Sequence, residues 1–292
     1  MFKVHLLMLF AAVLVSGSFP VVAAISNDLD PIVLTLIRFA LASALFAPFI
    51  WFRYTLVVSF VALVRYSLIS ASLVICFWSM FLALRYTTAL NVSTIFTIVP
   101  GLAGIYAIVL NKERLGRVRL IALFLGIIGA LWVLFRGDVA LLAEFSWNKG
   151  DLIFLVGCLF MGLYTPLVRL FHRGESMLQM SFWIMLTGTF WLSLLAGPKL
   201  LTVSWPDVSF KVWVAISYLA VFSTIITFFL TQYALLFLGP TRVAAYSYLY
   251  PGLVLVLELL FGGVWPGIQI LPGIVIVLAA MIVIQQMEHR DS

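Results

Sequence analysis

One stretch of this chain is written twice. ALRYTTALNVSTIFTIVPGLAGIYAIVLNKERLGRVR runs from Ala83 to Arg119, and ALLFLGPTRVAAYSYLYPGLVLVLELLFGGVWPG runs from Ala234 to Gly267. Each copy opens on a short polar turn and then holds about 20 mostly apolar residues, the length that spans a bilayer. A Pro-Gly pair sits in the middle of each. Ala83 answers Ala234, Val92 answers Val243 and Pro100-Gly101 answers Pro251-Gly252, all at one constant offset. A plan that returns after half the length divides the chain into two copies.

The rest of the chain fits that plan. Of 292 residues, 64% are hydrophobic and 10% are charged, and the mean hydropathy is +1.20. Soluble domains carry about 25% charged and about 45–50% apolar residues. So much apolar surface has no soluble core to hide in, and the chain reads as an integral membrane protein. Ten apolar runs are long enough to cross a bilayer: 4–24, 31–51, 66–84, 91–110, 118–135, 152–168, 179–196, 212–237, 241–262 and 270–287. Runs 8 and 9 are separated only by Leu238-Gly239-Pro240. Run 1 has signal-peptide features, Lys3 and Val22-Ala23-Ala24. It is long for that role, and Asn27-Asp28 follows it directly, so it is counted as a span.

Orientation follows from lysine and arginine. With a cytoplasmic N-terminus, the inner turns and ends carry Lys3, Arg53, Arg65, Lys112, Arg114, Arg117, Arg119, Arg169, Arg173, Arg242 and Arg290. The outer turns carry Arg85, Arg136, Lys149, Lys199 and Lys211. That bias of 11 to 5 places both termini in the cytoplasm. The net charge of +6 is therefore a topology signal, and nucleic acid is excluded as a partner. Five spans per half is an odd number, so the second half enters from the opposite side. The expected architecture is all-α, with ten transmembrane helices in two inverted repeats, 1–136 and 151–292, joined by a linker over 137–150. Inverted repeats are a transporter architecture.

Four prolines pair across the halves, Pro20 with Pro166 and Pro100 with Pro251. Each removes a backbone donor, and interrupted helices in matching positions mark a central site. Pro48 lies near the end of run 2 and helps to end it. Polar and aromatic residues gather near these breaks: Ser16 and Ser18; Trp78; Ser93, Thr94 and Thr97; Tyr164 and Thr165; Thr227, Thr231 and Gln232; and Tyr246, Ser247, Tyr248 and Tyr250. Each hydroxyl has two readings, a bond to its own helix backbone or a cavity wall.

Charges inside a span are functional hypotheses by default. Arg38 follows Pro31 by seven residues, about 10 Å below the outer surface at about 1.5 Å per residue. Glu258 lies about 6 Å deep by the same rise. An ion pair, contact with substrate or a coupling proton, and separate snorkelling all remain open for the two. Ala122, Gly126 and Ala130 in run 5, answered by Gly273 in run 10, form small-residue faces. These serve either a homodimer or packing within the chain. Cys76 and Cys158 read as buried hydrophobes. His5, His172 and His289 are scattered, so no metal is expected.

The chain resembles the drug/metabolite transporter superfamily, in particular its EamA-type ten-helix members. Arg38-Phe39 with Ala42, Ala89-Leu90-Asn91-Val92-Ser93 running to Pro100, Glu113-Arg114-Leu115, and Gly126 with Gly129 carry the likeness in the first half. The second half keeps Pro251 and Gly273 but has Val264-Trp265-Pro266 where the family often repeats its acidic-basic turn. The resemblance implies a ten-helix basket with a central cavity lined mainly by spans 1, 3, 4, 6, 8 and 9. It also implies alternating access by rocking of the halves. On that analogy Ser16, Trp78, Ser93, Tyr164, Gln232, Tyr246 and Tyr250 are the expected cavity residues. An aromatic share of 15% suits an amphipathic or aromatic solute.

The expected function is secondary transport of small organic solutes in a bacterial inner membrane, with export of amino acids or related metabolites in first place. Uptake of a vitamin or nucleotide-like solute is the alternative. No cofactor is expected, and no GxxxxGK[ST] loop occurs, so ATP hydrolysis within this chain does not drive it. An intramembrane enzyme is disfavoured, since neither HExxH nor GxSxG is present and no histidine lies mid-span. The expected partners are a small-molecule substrate and the lipid bilayer.

Overall fold

A computed structural model describes residues 2–54, 57–112, 116–138, 148–263 and 265–287. The side chains at 119, 232, 235, 236, 239–241 and 287 lie outside that description, as do Glu113-Arg114-Leu115, most of the linker, Val264, His289 and Arg290. The described residues are helical apart from the turns and irregular links between helices, with no strand among them.

Among the described residues twelve α-helices build ten spans. α1 is Phe2–Ile25, α2 Pro31–Arg53, α3 Phe60–Ala83, α4 Ala89–Phe96, α5 Val99–Asn111 and α6 Arg117–Leu134. α7 is Lys149–Phe171, α8 Met177–Leu200, α9 Phe210–Ala220, α10 Thr227–Ala245, α11 Tyr250–Leu260 and α12 Leu271–Met287. Among the described residues nine stretches are long and apolar enough to cross a membrane, and α6 supplies a shorter tenth. The starts are set by small polar caps. Asp30 accepts from the Ile32 amide at 3.0 Å, Ser59 from Ala62 at 3.2 Å, Thr88 from Asn91 at 3.2 Å and Asn148 from Gly150 at 2.8 Å.

The spans alternate in direction. One face of the bundle, the Asp30 face, holds the α1–α2, α3–α4 and α8–α9 turns. The opposite, N-terminal face holds the start of α1 and the end of α12. Contacts between turns agree with this: Tyr66 donates to Glu175 at 3.0 Å and Arg65 to the Phe171 carbonyl at 3.1 Å on the N-terminal face.

Packing is tightest where α3 crosses α7, α6 crosses α12 and α2 crosses α8. At the first crossing Gly157 lies so close to Ser79 that no Cβ fits between them. Cys76 and Cys158 are buried free thiols in the same cluster as Phe81 and Phe154. At the second crossing a Cβ built on Gly129 would stand 2.8 Å from the Gly273 carbonyl oxygen, and one on Gly273 would stand 2.7 Å from that of Gly129. Small residues let two backbones approach this closely. Ala122 and Ala130 are buried, and Gly126 faces the Tyr248 ring. The small-residue faces, named above as serving either a homodimer or packing within the chain, meet each other and the Tyr248 ring here. Large apolar side chains such as Phe124 and Phe190, each 62% exposed in mid-helix, cover the outside. In a bilayer that is the surface that lipid tails wet.

The prolines divide into two kinds. Before Pro100, span 4 breaks between α4 and α5, where Thr97 and Ile98 bond three residues back, to Thr94 and Ile95. Before Pro251, span 9 tightens to a 3₁₀ turn over Tyr246–Leu249. Pro20 and Pro166 leave α1 and α7 helical throughout, because a single missing donor is absorbed when neighbouring helices hold the backbone. The Leu238-Gly239-Pro240 separator also departs from expectation. The backbone is helical from Thr227 to Ala245, so spans 8 and 9 are joined by helix and not by a loop.

Candidate functional site

A cavity of about 300 Å³ lies at the centre of the bundle. Its lining runs from Met80, about one turn from the Asp30 end of α3, to Met177, the first residue of α8 at the N-terminal face. α1 contributes Met8, Val15, Ser18 and Phe19, α2 contributes Arg38, Phe39 and Ala42, and α3 contributes Leu73, Cys76, Phe77 and Met80. Phe96, Val99 and Pro100 enter from the break in span 4, and Ser247 and Tyr250 from the break in span 9. α7 adds Met161, Tyr164, Thr165 and Val168. Span 8 adds Ser223, Thr224, Thr227, Phe228 and Thr231, and α8 adds Met177 and Met185. Spans 2 and 7 therefore join the six expected to line it, while spans 5 and 10 stand behind as support. The wall is mainly apolar with a ring of hydroxyls, the usual make-up of a small-molecule site.

Arg38 is the one charged residue among the described residues that line it. It is 1% exposed. Its Nε and Nη2 both donate to the Thr224 hydroxyl, at 3.3 and 3.2 Å, and its Cζ lies 4.2 Å from the centre of the Phe77 ring. Nη1 has no hydrogen-bond partner. Thr224 is placed by a π-helical turn over Val221–Ile226, between α9 and α10. Its hydroxyl donates to the Leu219 carbonyl, five residues back, at 2.8 Å. That turn widens the helix at one point and aims Thr224 at α2. Single π turns recur at functional positions.

Of the other residues singled out in the sequence, Tyr164, Tyr250 and Pro100 line the cavity. Ser16 is buried with its hydroxyl unpartnered and lies outside the lining, whereas Ser18, two residues on, stands in it. Ser93 is buried and donates to the Leu90 carbonyl at 2.9 Å, the backbone-bonded alternative. Trp78 is 38% exposed on the outside of α3; its neighbour Phe77 faces inward. Tyr246 is buried and shares a 2.7 Å hydrogen bond with His5 Nδ1, pinning α1 to the span 9 break. Pro20, Pro166 and Pro251 shape their helices behind the wall. Gln232 sits on α10, its side chain outside the described residues. Glu258 is half-buried on α11, makes no ion pair to Arg38, and takes no part in the lining.

The Asp30 face is sealed by polar ties. Lys199 donates to Asp30 Oδ2 at 2.7 Å. Lys211 donates to the Ala24 carbonyl and lies 3.8 Å from Asp28. Arg85 donates to the Ser26 and Leu29 carbonyls, at 2.7 Å each. The Thr87 hydroxyl donates to Asp151 at 2.6 Å. The Lys199, Lys211 and Thr87 ties join the first half to the second, and the Arg85 tie holds two turns of the first half together; Asp28, Asp30, Arg85 and Lys199 line a polar surface cleft of about 630 Å³ there. Burial alone would raise the Asp30 carboxyl. The Lys199 bond, the Ile32 amide and the nearby Arg85 charge outweigh it and hold Asp30 below its usual value.

A ten-span bundle with a central cavity between two matching halves is a form that can be compared with known families. The model of the EamA-like transporter family matches residues 2–135 and again 148–285. The chain belongs to the EamA-like transporter family. It is thereby a multi-pass membrane protein of the drug/metabolite transporter superfamily. This EamA-like transporter is 27% identical over 260 residues to an uncharacterized transporter of Archaeoglobus fulgidus, a match covering 85% of this chain and 86% of that one. It is 23% identical over 201 residues to the uncharacterized transporter YyaM of Bacillus subtilis strain 168, covering 69% and 66%. A solved crystal structure shares the fold, with a TM-score of 0.68 at 17% identity, over 95% of this chain and 94% of that one.

Three features of this EamA-like transporter's cavity are quiet in the sequence. Five methionines line it, Met8, Met80, Met161, Met177 and Met185, and the unbranched thioether adapts to varied shapes. They lie on four different helices, two of them eight residues apart on α8, so no local pattern links the set. Phe77 and Trp78 are neighbours, and only the helix rotation separates wall from exterior. The π turn that aims Thr224 has no breaker residue to announce it. VFSTII reads as ordinary helix.

Proposed function

We propose that this transporter moves amino acids or related metabolites out of the cell by alternating access across a bacterial inner membrane, with both termini cytoplasmic. One observation carries the reading. The central cavity is walled by both halves and runs to the N-terminal face, while ties between the halves close the Asp30 face. With the positive-inside bias, that is a site reached from the cytoplasm. The two Pro-Gly breaks in its wall give hinges on which the halves, 1–136 and 151–292, rock. The cavity volume suits a solute of amino-acid size. A nucleotide-like solute would carry several phosphate charges, and one guanidinium among the described lining residues answers them poorly.

The test is reconstitution into liposomes and counterflow with labelled amino acids, deaminated acids, vitamins and nucleosides. Accumulation of an amino acid or a close relative is expected. If no solute in the panel moves in either direction, the reading fails.

A further inference from the structure

The Arg38 guanidinium carries more donors than it uses. Guanidinium has five N–H groups in a planar fork. Nε and Nη2 share one acceptor, the Thr224 hydroxyl. Nη1 has none. An uncompensated buried charge costs several kcal/mol as an order of magnitude, and one hydroxyl with one aromatic face does not offset that. The described lining holds no Asp or Glu, and Glu258 makes no ion pair with Arg38. The charge is thus left for something that enters the cavity.

We infer that Arg38 is the anchor for a carboxylate, and that the cavity selects small monocarboxylates with an apolar body and no ammonium group. The Nη1–Nη2 edge is the one that pairs a carboxylate side-on. Phe19, Phe77, Phe96, Tyr164 and Tyr250 surround the space beyond it and take an apolar or aromatic body. The selection against an ammonium follows from what is missing. Hydroxyls accept a hydrogen bond from it, but no carboxylate in the described lining balances its charge, and Arg38 repels it. A zwitterionic amino acid pays that desolvation in full; its deaminated counterpart does not.

This inference rests on the transporter reading and narrows its solutes from amino acids to their deaminated relatives, and the experiment separates the two. The full chain in detergent is titrated calorimetrically with 3-phenylpropionate, phenylalanine and phenethylamine, which share one apolar body. The same three are offered to proteoliposomes. The wild-type protein is expected to bind 3-phenylpropionate at least about tenfold more tightly than phenylalanine, with phenethylamine weakest. A charge-assisted hydrogen bond of about 1.5–3 kcal/mol corresponds to a loss of roughly 10- to 150-fold in Arg38→Gln, with partial recovery in Arg38→Lys. Phenylalanine binding as tightly as 3-phenylpropionate overturns the inference, and so does undiminished 3-phenylpropionate binding in a folded Arg38→Gln. If Arg38→Gln does not fold, the wild-type comparison decides alone. Transport of phenylalanine but not 3-phenylpropionate sinks the carboxylate selection and keeps the transporter. Arg38-dependent binding with no movement of any solute does the reverse.

Discussion

The Lys199 ammonium rests 2.7 Å from Asp30 Oδ2, joining the end of the seventh span to the start of the second. The pair is half in water, with side chains 52% and 33% exposed, so it contributes modestly, at most about 1 kcal/mol. Even that biases a two-state gate. Asp30→Asn or Lys199→Met is expected to raise the rate at which a thiol reagent added at the Asp30 face modifies Cys76, which lines the cavity. The increase should be about two- to fivefold. Mass spectrometry separates Cys76 from Cys158, which lies outside the lining. An unchanged rate in both variants would show that the pair does not hold this face shut.

The same pair sets a pH expectation. Asp30 is held below its usual value, so its charged form is favoured in the sealed arrangement. Such a group contributes fully above its ordinary pKa of about 3.9 and loses its contribution as pH falls through the depressed value. The ratio of labelling rates, Asp30→Asn over wild type, should therefore stay constant from pH 8 to about 5. It should approach one only in stronger acid. A ratio that collapses between pH 7 and 6 would point to a different titrating group.

Arg38 and Glu258 were both candidates for one buried ion pair, and the structure gives Arg38 a different holder. Its fork hangs on Thr224 while Glu258 makes no bridge to it. Exchanging the two charges, Arg38→Glu with Glu258→Arg, is expected to leave solute binding as low as Arg38→Glu alone. Thr224→Val should reduce binding on its own, because it releases the tether without removing the charge. Calorimetry on the folded variants reads both. Recovery of binding in the exchanged variant would restore the ion pair.

The contact of α6 with α12 is between backbones. A Cβ on Gly129 meets the Gly273 carbonyl oxygen at 2.8 Å and a Val277 methyl at the same distance. Gly129→Leu has no room, and overpacking of this kind costs about 1–3 kcal/mol. A Cβ on Gly197, late in α8, meets nothing within 4 Å, so Gly197→Ala should be neutral or stabilising by up to about 1 kcal/mol. Thermal melts in one detergent compare them. Equal melting temperatures would mean that the helices part without loss.

The ten spans, their order and the two true helix breaks could be read from the sequence, because each rests on local chemistry. Apolar length specifies a span, Ser, Thr, Asp or Asn specifies a start, and Pro-Gly specifies a break. The cavity was legible where a residue lay within a turn of a break, as Tyr250 and Pro100 do. It was not legible where helix rotation decides. Ser16 and Ser18 differ by two positions on α1, and only the packing of α1 against its neighbours chooses Ser18. Tyr246 offers the same chemistry as Tyr250, yet its partner is His5, 241 residues away, and no local signal announces that bond.

Phe77 and Trp78 make the rotation testable. Both are large aromatics at adjacent positions, and a sequence argument favours the larger. Phe77 carries the cation–π contact to Arg38 at 4.2 Å, whereas Trp78 is 38% exposed on the outside of α3. Phe77→Ala should weaken solute binding and also loosen Arg38, since a desolvated cation–π contact is worth about 2 kcal/mol. That corresponds to roughly a 30-fold loss of affinity if it is transmitted in full. Trp78→Ala should leave affinity within about twofold and act only on stability in the membrane. Binding isotherms for the two variants, measured beside their melting temperatures, check the assignment. A larger loss of affinity from Trp78→Ala than from Phe77→Ala would mean that α3 is turned by about 100° from its place here, one residue of helical rotation.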